Sequence, residues 1–220
     1  MGGRTQGVEP MKIISMSVYG SKPMYVQGAV KNALLVPQIY PGWKLRVYCS
    51  EEVDTGPLKQ AGCEIVCMSK SKEHSGMFWR FLAAWDGDVE RIIFRDADSR
   101  LNVREAVAVR AWEDSGLVAH CMHDHPHHAC FPIFGGMWGI KGNFLPKALF
   151  AIMIKMAAIQ QKRVADMMFL SEKVHPLIAN LLLRHSSVPT QWPSVPFPEH
   201  PKYEGFVGQQ FDDRGNLIWP

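Results

Sequence analysis

Residues 90–101, ERIIFRDADSRL, carry the side chains best suited to chemistry. A run typical of a buried strand ends in Asp96-Ala97-Asp98, so two carboxylates stand one residue apart at the mouth of that strand. Mg²⁺ and Mn²⁺ prefer oxygen ligands and bridge carboxylates to a diphosphate, whose charge they neutralise as it leaves. An ordinary turn also uses Asp. The position at the end of a fourth strand favours the metal-site interpretation.

Several other residues could accompany such a site. Arg80 lies among aromatics, where it could reach a ligand or simply cover apolar surface. Arg95 could pair with the aspartates or clamp a phosphate. Gly135 and Gly136 allow close backbone approach to a ligand, or form a turn. Trp138 could stack on a sugar or lie in the core.

A histidine-rich segment, residues 120–128, holds five of the nine histidines. Pro126 and the crowded spacing argue against a tetrahedral zinc site, whose ligands normally come from separated pairs. We expect a loop that lines the site, with Asp124 available to hydrogen-bond donor or acceptor hydroxyls.

The elements that must position these residues alternate between strand and helix. Strands are predicted at 11–18, 44–49, 63–68, 90–95 and 116–122. Helices are predicted at 24–36, broken at Pro37, and at 54–62, 76–85, 102–113, 146–159 and 164–184, before an irregular tail at 186–220. This order predicts an α/β protein with a mostly parallel, Rossmann-like sheet and helices on both faces. Ligands bind such sheets at the carboxyl ends of the strands.

Length and composition limit the function classes. A chain of 220 residues, 47% hydrophobic, suits one domain, with a nucleotide-binding half at 11–122 and an acceptor-side half with the tail at 123–220. The net charge of +3 gives no basic field for nucleic acid. The polar residues 1–10 do not form a signal peptide, and no stretch approaches the ~20 apolar residues of a membrane span. We therefore expect a cytoplasmic protein with five free cysteines.

Several blocks in order along the chain carry a resemblance to a known family. They are VYGSKPMYVQGAVKNALLVPQIYPGWKLRVY, HSGMFWRFLA, RDADSRLNVREAVAVRAW, MHDHPHHACFPIFGGMWG, DMMFLSEKVHPLI and FVGQQFDD. Together they resemble a bacterial and viral group of GT-A glycosyltransferases that contain the D-x-D motif. The resemblance implies the GT-A fold, a Mn²⁺ or Mg²⁺ cofactor, a UDP- or GDP-sugar donor, and a glycan or other hydroxyl acceptor.

The resemblance also implies roles for individual residues. Those implied to bind the nucleotide-sugar are Tyr19, Gly20, Arg80, Asp96, Ala97, Asp98, Gly135, Gly136 and Trp138. Asp96 and Asp98 would hold the metal, and His185 stands where relatives tend to carry His-Asp, a possible third ligand. Asp166 matches an acidic position at the head of a helix.

The expected function is sugar transfer, in surface glycan synthesis by analogy alone. The metal and the arginines, Arg80 and Arg95, would stabilise the departing diphosphate. An inverting enzyme also needs a carboxylate base, for which Asp124 and Asp166 are the candidates. The alternatives are a nucleotidyltransferase, a D-x-D-x-T phosphatase, and a non-catalytic sugar-nucleotide-binding module. A nucleotidyltransferase usually has a Gly-rich basic loop after the first strand, and here that loop has only one Gly and one Lys. Dinucleotide-binding, P-loop and hydrolase motifs are absent from the sequence.

Overall fold

A computed structural model describes residues 11–69, 75–159 and 162–218. The expectation for residues 1–10 lies outside this part of the chain. One seven-stranded sheet dominates the fold, in the order β3-β2-β1-β4-β6-β5-β7. Its strands are β1 (Met11–Val18), β2 (Trp43–Ser50), β3 (Glu64–Met68), β4 (Val89–Phe94), β5 (Ala119–His123), β6 (Trp138–Lys141) and β7 (Leu182–Ser186).

Strand β6 makes the sheet mixed. It runs antiparallel to both of its neighbours, β4 and β5, whereas every other neighbouring pair is parallel. The predicted α/β class with a mostly parallel sheet is therefore confirmed. Strands β6 and β7 were not predicted. β6 lies in a glycine-rich stretch, and β7 overlaps the end of the helix predicted to reach residue 184.

Helices cover both faces of the sheet. They are α1 (Pro23–Ile39), α2 (Gly56–Gln60), α3 (Val103–Ser115), α4 (Lys147–Ile159), α5 (Ala165–Phe169) and α6 (His175–Ile178). Helical segments of other types are the 3₁₀ segments Ser75–Trp85, Pro126–Cys130 and Ala179–Leu181 and the π-helical segment Leu170–Val174. The residues at 76–85 thus wind as a 3₁₀ helix, and the segment predicted as one helix at 164–184 is divided among several short turns and β7.

Two apolar layers form the core, one on each face. The first packs α4, α5 and the 75–85 segment on the sheet through residues such as Phe81, Phe94 and Trp138. The second packs α1 and α3 on the other face around Met16 and Trp112. Alternation of side chains along the central strands produces both layers, since Ile92 belongs to the first and Ile93 to the second.

Helices α1 and α3 have clear local causes. Pro37 does not break α1, because it lies in the last turn, where the helix is ending anyway. Asn102 and Glu105 begin α3 with a capping box: the Asn102 side chain accepts from the Glu105 N–H at 3.0 Å, and the Asn102 N–H donates back to the Glu105 carboxylate at 3.2 Å. Gly116 ends α3 with φ 73°.

Candidate functional site

A cleft of about 570 Å³ opens at the carboxyl ends of β1 and β4. Its wall includes Ser17 near the end of β1, Tyr19 just after that strand, and Asp96 to Asp98 after β4. The carboxyl ends of two neighbouring parallel strands therefore meet there, as expected for a ligand site in such a sheet. Met77 and Arg80 of the 75–85 segment, which follows β3, also line the cleft, whereas no described residue between β2 and β3 does.

Helix α1 holds the Asp96–Asp98 turn in place. Asn32, fully buried, donates to the Ser99 carbonyl at 2.9 Å and accepts from the Leu101 N–H at 3.0 Å. Gly28 packs so close to the Ala97 carbonyl that a Cβ at this position would collide with it. The turn is thus fixed by an amide clamp and by backbone contact with α1, and Ala97 has no room to move toward the helix.

The two carboxylates of the turn differ in environment. Asp96 is partly exposed and pairs with Nη1 of Arg80. Asp98 is buried and accepts a hydrogen bond from Nε2 of Gln210 at 3.1 Å. Burial, and next the charge of Asp96, raises the pKa of Asp98 to about 7. Both side chains line the same cleft.

Arg80 lies at the centre of the charged cluster. Its backbone N–H donates to Ser17 Oγ at 2.9 Å, and its carbonyl accepts from Ser15 Oγ at 2.7 Å, so β1 fixes the residue. The guanidinium contacts Asp96 through Nη1 and Asp166 through Nη2, the latter at 2.8 Å. Burial would lower the pKa of Arg80, but the two carboxylates raise it, so the side chain stays charged.

Asp166 is the most enclosed carboxylate of the cleft. Its side chain is 6% exposed, pairs with Arg80 and accepts from the Met167 N–H at 2.8 Å. Burial raises its pKa, and Arg80 opposes that rise. The residue expected at the head of a helix does lie in the first turn of α5.

The glycine pair leaves the space that the charged side chains of the cleft occupy. A Cβ on Gly135 would meet the Asp166 carboxylate and, at 2.6 Å, Nη2 of Arg80. A Cβ on Gly136 would meet the Asp96 carboxylate and, at 3.0 Å, the Asp96 backbone nitrogen. Both glycines therefore allow the charged cluster to assemble.

The structure places two of the expected ligand-binding residues behind the cleft. Arg95 is buried on the opposite face of the sheet, where Nε donates to Glu105 at 2.7 Å. Trp138 packs between Phe81 and Phe94 in the core, with ring centroids 5.7 and 4.5 Å away. Both residues were expected to contact a ligand, and both have structural positions instead. Arg95 points away from Asp96 because side chains alternate between the two faces along β4.

Asp124 is also placed away from the cleft. Its carboxylate accepts two hydrogen bonds from Arg104 at 2.7 Å, one from Ser187 Oγ at 2.6 Å and one from the Val207 N–H at 2.9 Å. Four donors leave it little capacity to act as a base. It ties the C-terminal tail to α3, while its neighbours His125, His127 and His128 line the cleft instead.

His185 does not join the two aspartates. It is buried in β7, where Nδ1 lies 2.8 Å from Nε2 of His120, and it packs on Phe197. Across residues 11–69, 75–159 and 162–218, no group of three or more His, Cys, Asp or Glu side chains could hold a metal ion. Asp96 and Asp98 are the described residues of the turn that could hold a cation, since carboxylates are the hard oxygen donors that Mn²⁺ or Mg²⁺ prefers.

Several residues that line the cleft were not predicted from the sequence. They are Lys22, Tyr25, Met77, Phe134, Arg163, Phe206 and Gln210. Tyr25 lies in the first turn of α1, soon after Tyr19, so its position at the cleft could have been inferred from that of Tyr19. The tail residues carry no local signal, because only the tertiary fold brings them to the turn. Gly20, with φ 74°, forms the bend after Tyr19 and is not part of the wall.

Comparison with known proteins establishes the fold. The sequence matches no established protein family and no curated protein. The structure is similar to a glycosyltransferase involved in glycosylation of the major capsid of PBCV-1 (TM-score 0.51, 16% identity, 80% of this chain and 82% of that one). It is also similar to glucosyl-3-phosphoglycerate synthase from Mycobacterium tuberculosis, solved with Mn²⁺, UDP and phosphoglyceric acid (TM-score 0.50, 10% identity, 89% and 72%).

A nucleotidyltransferase, CMP:2-keto-3-deoxy-manno-octonic acid synthetase with CTP, is similar as well (TM-score 0.48, 12% identity, 86% and 94%). At such identities the likeness shows the fold alone, a Rossmann-like, mostly parallel α/β sheet. In the described part of the chain, no helix has the length and apolar character needed to cross a membrane.

Proposed function

We propose that this chain is a metal-dependent glycosyltransferase that moves a sugar from a UDP- or GDP-sugar to a hydroxyl of an acceptor. One observation carries the proposal: Asp96, Asp98, Arg80, Asp166 and the glycine pair, far apart in sequence, line a single cleft at the strand ends. Two structural relatives, with TM-scores of 0.51 and 0.50, are glycosyltransferases, and the mycobacterial one is described with Mn²⁺ and UDP.

The charges of the cleft are layered in a way that suits a metal and a diphosphate. Asp98, Asp166 and Arg80 are buried at its floor, whereas Lys22 and Arg163 are exposed on its wall. The floor, with Asp96, holds three carboxylates against one guanidinium. It therefore attracts a cation, and the basic side chains above it suit phosphate oxygens.

A bound Mn²⁺ or Mg²⁺ would be held by Asp96 and Asp98 and would supply charge neutralisation for the leaving diphosphate. Arg80 stays positively charged beside that position because two carboxylates raise its pKa. Ser15 and Ser17 hold its backbone, so the side chain acts there without reorganisation. Asp166 is the remaining candidate for a base in an inverting reaction, since its burial raises the pKa of its carboxyl. Gly135 and Gly136 would let a sugar approach the backbone.

The test is a thermal shift panel of UDP-, GDP- and dTDP-sugars with and without Mn²⁺, followed by product detection with the donor that binds. Asp98→Ala should abolish Mn²⁺-dependent binding. The control is Asp114→Ala, which alters an exposed aspartate of α3 and should bind as the unaltered protein does. Unchanged calorimetric affinity in Asp98→Ala would remove the proposed role of the turn.

Product assays that also include a nucleoside triphosphate with a sugar phosphate separate the alternative functions. Release of pyrophosphate from a nucleoside triphosphate and a sugar phosphate would establish nucleotidyl transfer instead. Binding of a nucleotide-sugar without any turnover would favour a non-catalytic binding module.

A further inference from the structure

Helix α4 exposes most of its apolar side chains. Phe150, Ile152, Ile154 and Ile159 are 38%, 40%, 46% and 77% exposed, and only Leu149 and Met153 are buried along the whole helix. A helix that covers a domain usually turns its apolar face inward and its charges outward. In α4 only one narrow side packs against the rest of the protein, and the surface that faces solvent stays apolar.

The apolar surface continues beyond the helix. The ring of Phe150 contacts that of Trp85, with centroids 5.3 Å apart. Ile154 forms one side of a groove of about 190 Å³, whose other side includes Trp79 and Leu82 of the 75–85 segment. We call these side chains together the α4 surface. Contiguous exposed apolar area of this kind marks an interaction site.

The charges along α4 and the residues on either side of it in the sequence have a single sign. Between Asn143 and Ala165 the sequence contains no Asp or Glu, but four basic residues, at 147, 155, 162 and 163. The first three, all lysines, are exposed. Lysine stems can lie along apolar surface while the ammonium groups reach an anionic layer. The complementary partner is therefore apolar and negatively charged.

A second copy of the chain fits this surface poorly. A two-fold interface would bring the same lysines of each protomer together, with no acidic residue in the segment to offset them. An anionic bilayer meets both requirements, because its headgroups attract lysine and its acyl region accepts Phe and Ile. We propose that the α4 surface docks on an anionic lipid bilayer.

The helix has dimensions that suit lying in the interface. Its 13 residues extend roughly 20 Å, less than the ~30 Å of the hydrocarbon layer. Arg163 and Val164, soon after the helix ends at Ile159, line the cleft. Docking thus brings the rim of the cleft close to the lipid surface. This inference does not depend on which reaction the cleft performs.

The experiment is co-sedimentation of the full chain with vesicles of phosphatidylcholine alone and with increasing phosphatidylglycerol. Binding should rise with the anionic fraction and fall with added salt. Lys147→Glu with Lys155→Glu should weaken binding at least about tenfold, since each lysine near an anionic surface contributes on the order of a fivefold change in partition and reversal adds repulsion. The matched control is Lys44→Glu with Lys59→Glu, exposed lysines of β2 and α2, which has the same net charge.

A second pair of variants tests the apolar contribution. Phe150→Ser with Ile154→Ser should lower vesicle binding, whereas Leu34→Ser, at a 63% exposed leucine of α1, should not. Circular dichroism checks that each variant is folded. Absence of binding to anionic vesicles would overturn the proposal, as would equal loss in the α4 and control variants. Concentration-dependent dimerisation that the α4 variants abolish would identify a second copy as the partner instead.

Discussion

Replacement of Arg80 by Met should destabilise the protein mainly through Asp166. The two side chains are 7% and 6% exposed, so removal of the guanidinium leaves a buried carboxylate without its partner. Loss of one member of a buried pair typically costs 3–5 kcal/mol. The pair with Asp96 adds little, since that side chain is 44% exposed and water screens it.

Protonation limits the loss. An unpaired Asp166 can take up a proton, and shifting its pKa from the ordinary 3.8 to pH 7 corresponds to about 4 kcal/mol at 1.36 kcal/mol per unit. We therefore expect Arg80→Met to lower the free energy of unfolding by about 3–4 kcal/mol at pH 7, or roughly 6–16 °C in Tm for a chain of this size. Because loss of Arg80 would raise the pKa of folded Asp166, already above its ordinary value, still further, this loss should shrink as the pH falls toward 5.

The assay is urea denaturation at pH 7 and pH 5 of the unaltered protein, Arg80→Met, Asp166→Asn and the double variant. Asp166→Asn in the Arg80→Met background should restore most of the stability and remove the added pH dependence, yet restore no sugar transfer. A loss below about 1 kcal/mol in Arg80→Met, or no recovery in the double variant, would refute the assignment of Arg80 as the partner of a buried charge.

Two further variants test the turn and the buried histidines. Gly28→Ala should weaken nucleotide-sugar binding about tenfold in calorimetry, because its Cβ collides with the Ala97 carbonyl; Gly87→Ala, with open space around the added Cβ, is the control and should bind normally. Burial lowers the pKa of His123 to about 4, so between pH 6.5 and 4 the unfolded chain binds a proton that the folded chain does not, and stability falls on acidification. His123→Leu should therefore gain about 1–2 kcal/mol relative to the unaltered protein between pH 7 and pH 5 in urea denaturation; an unchanged gap would contradict this.

The sequence is sufficient to predict the elements whose signal is local. The apolar runs of β1 to β5 and the cap and Gly signals of α3 give their types and approximate limits. β7 was predicted as helix because a run as short as Leu182–Ser186 has no distinctive periodicity, and its partner β5 lies about sixty residues earlier. β6 was missed for a related reason: its strand character arises from pairing with β4 and β5 rather than from its Gly-rich sequence.

The cleft shows the same division between local and long-range information. The Asp96–Asp98 turn could be found because both residues and their strand are contiguous in the chain. The direction of the Arg95 side chain could also be predicted from alternation along β4, which points Arg95 and Asp96 to opposite faces of the sheet. No local pattern, in contrast, could show that Gln210 would reach Asp98 across more than a hundred residues.

Asp124 and Asp98 illustrate why a carboxylate at a strand end is not by itself a catalytic group. Both follow strands at the same edge of the sheet, yet Asp124 meets four donors, from Arg104, Ser187 and Val207, whereas Asp98 meets one side-chain donor and faces the cleft. The difference comes from the tail, which crosses Asp124 on its way to the cleft and there contributes Gln210. Asp124 therefore has a structural position that holds the tail, and of the two candidates for a base only Asp166 lines the cleft.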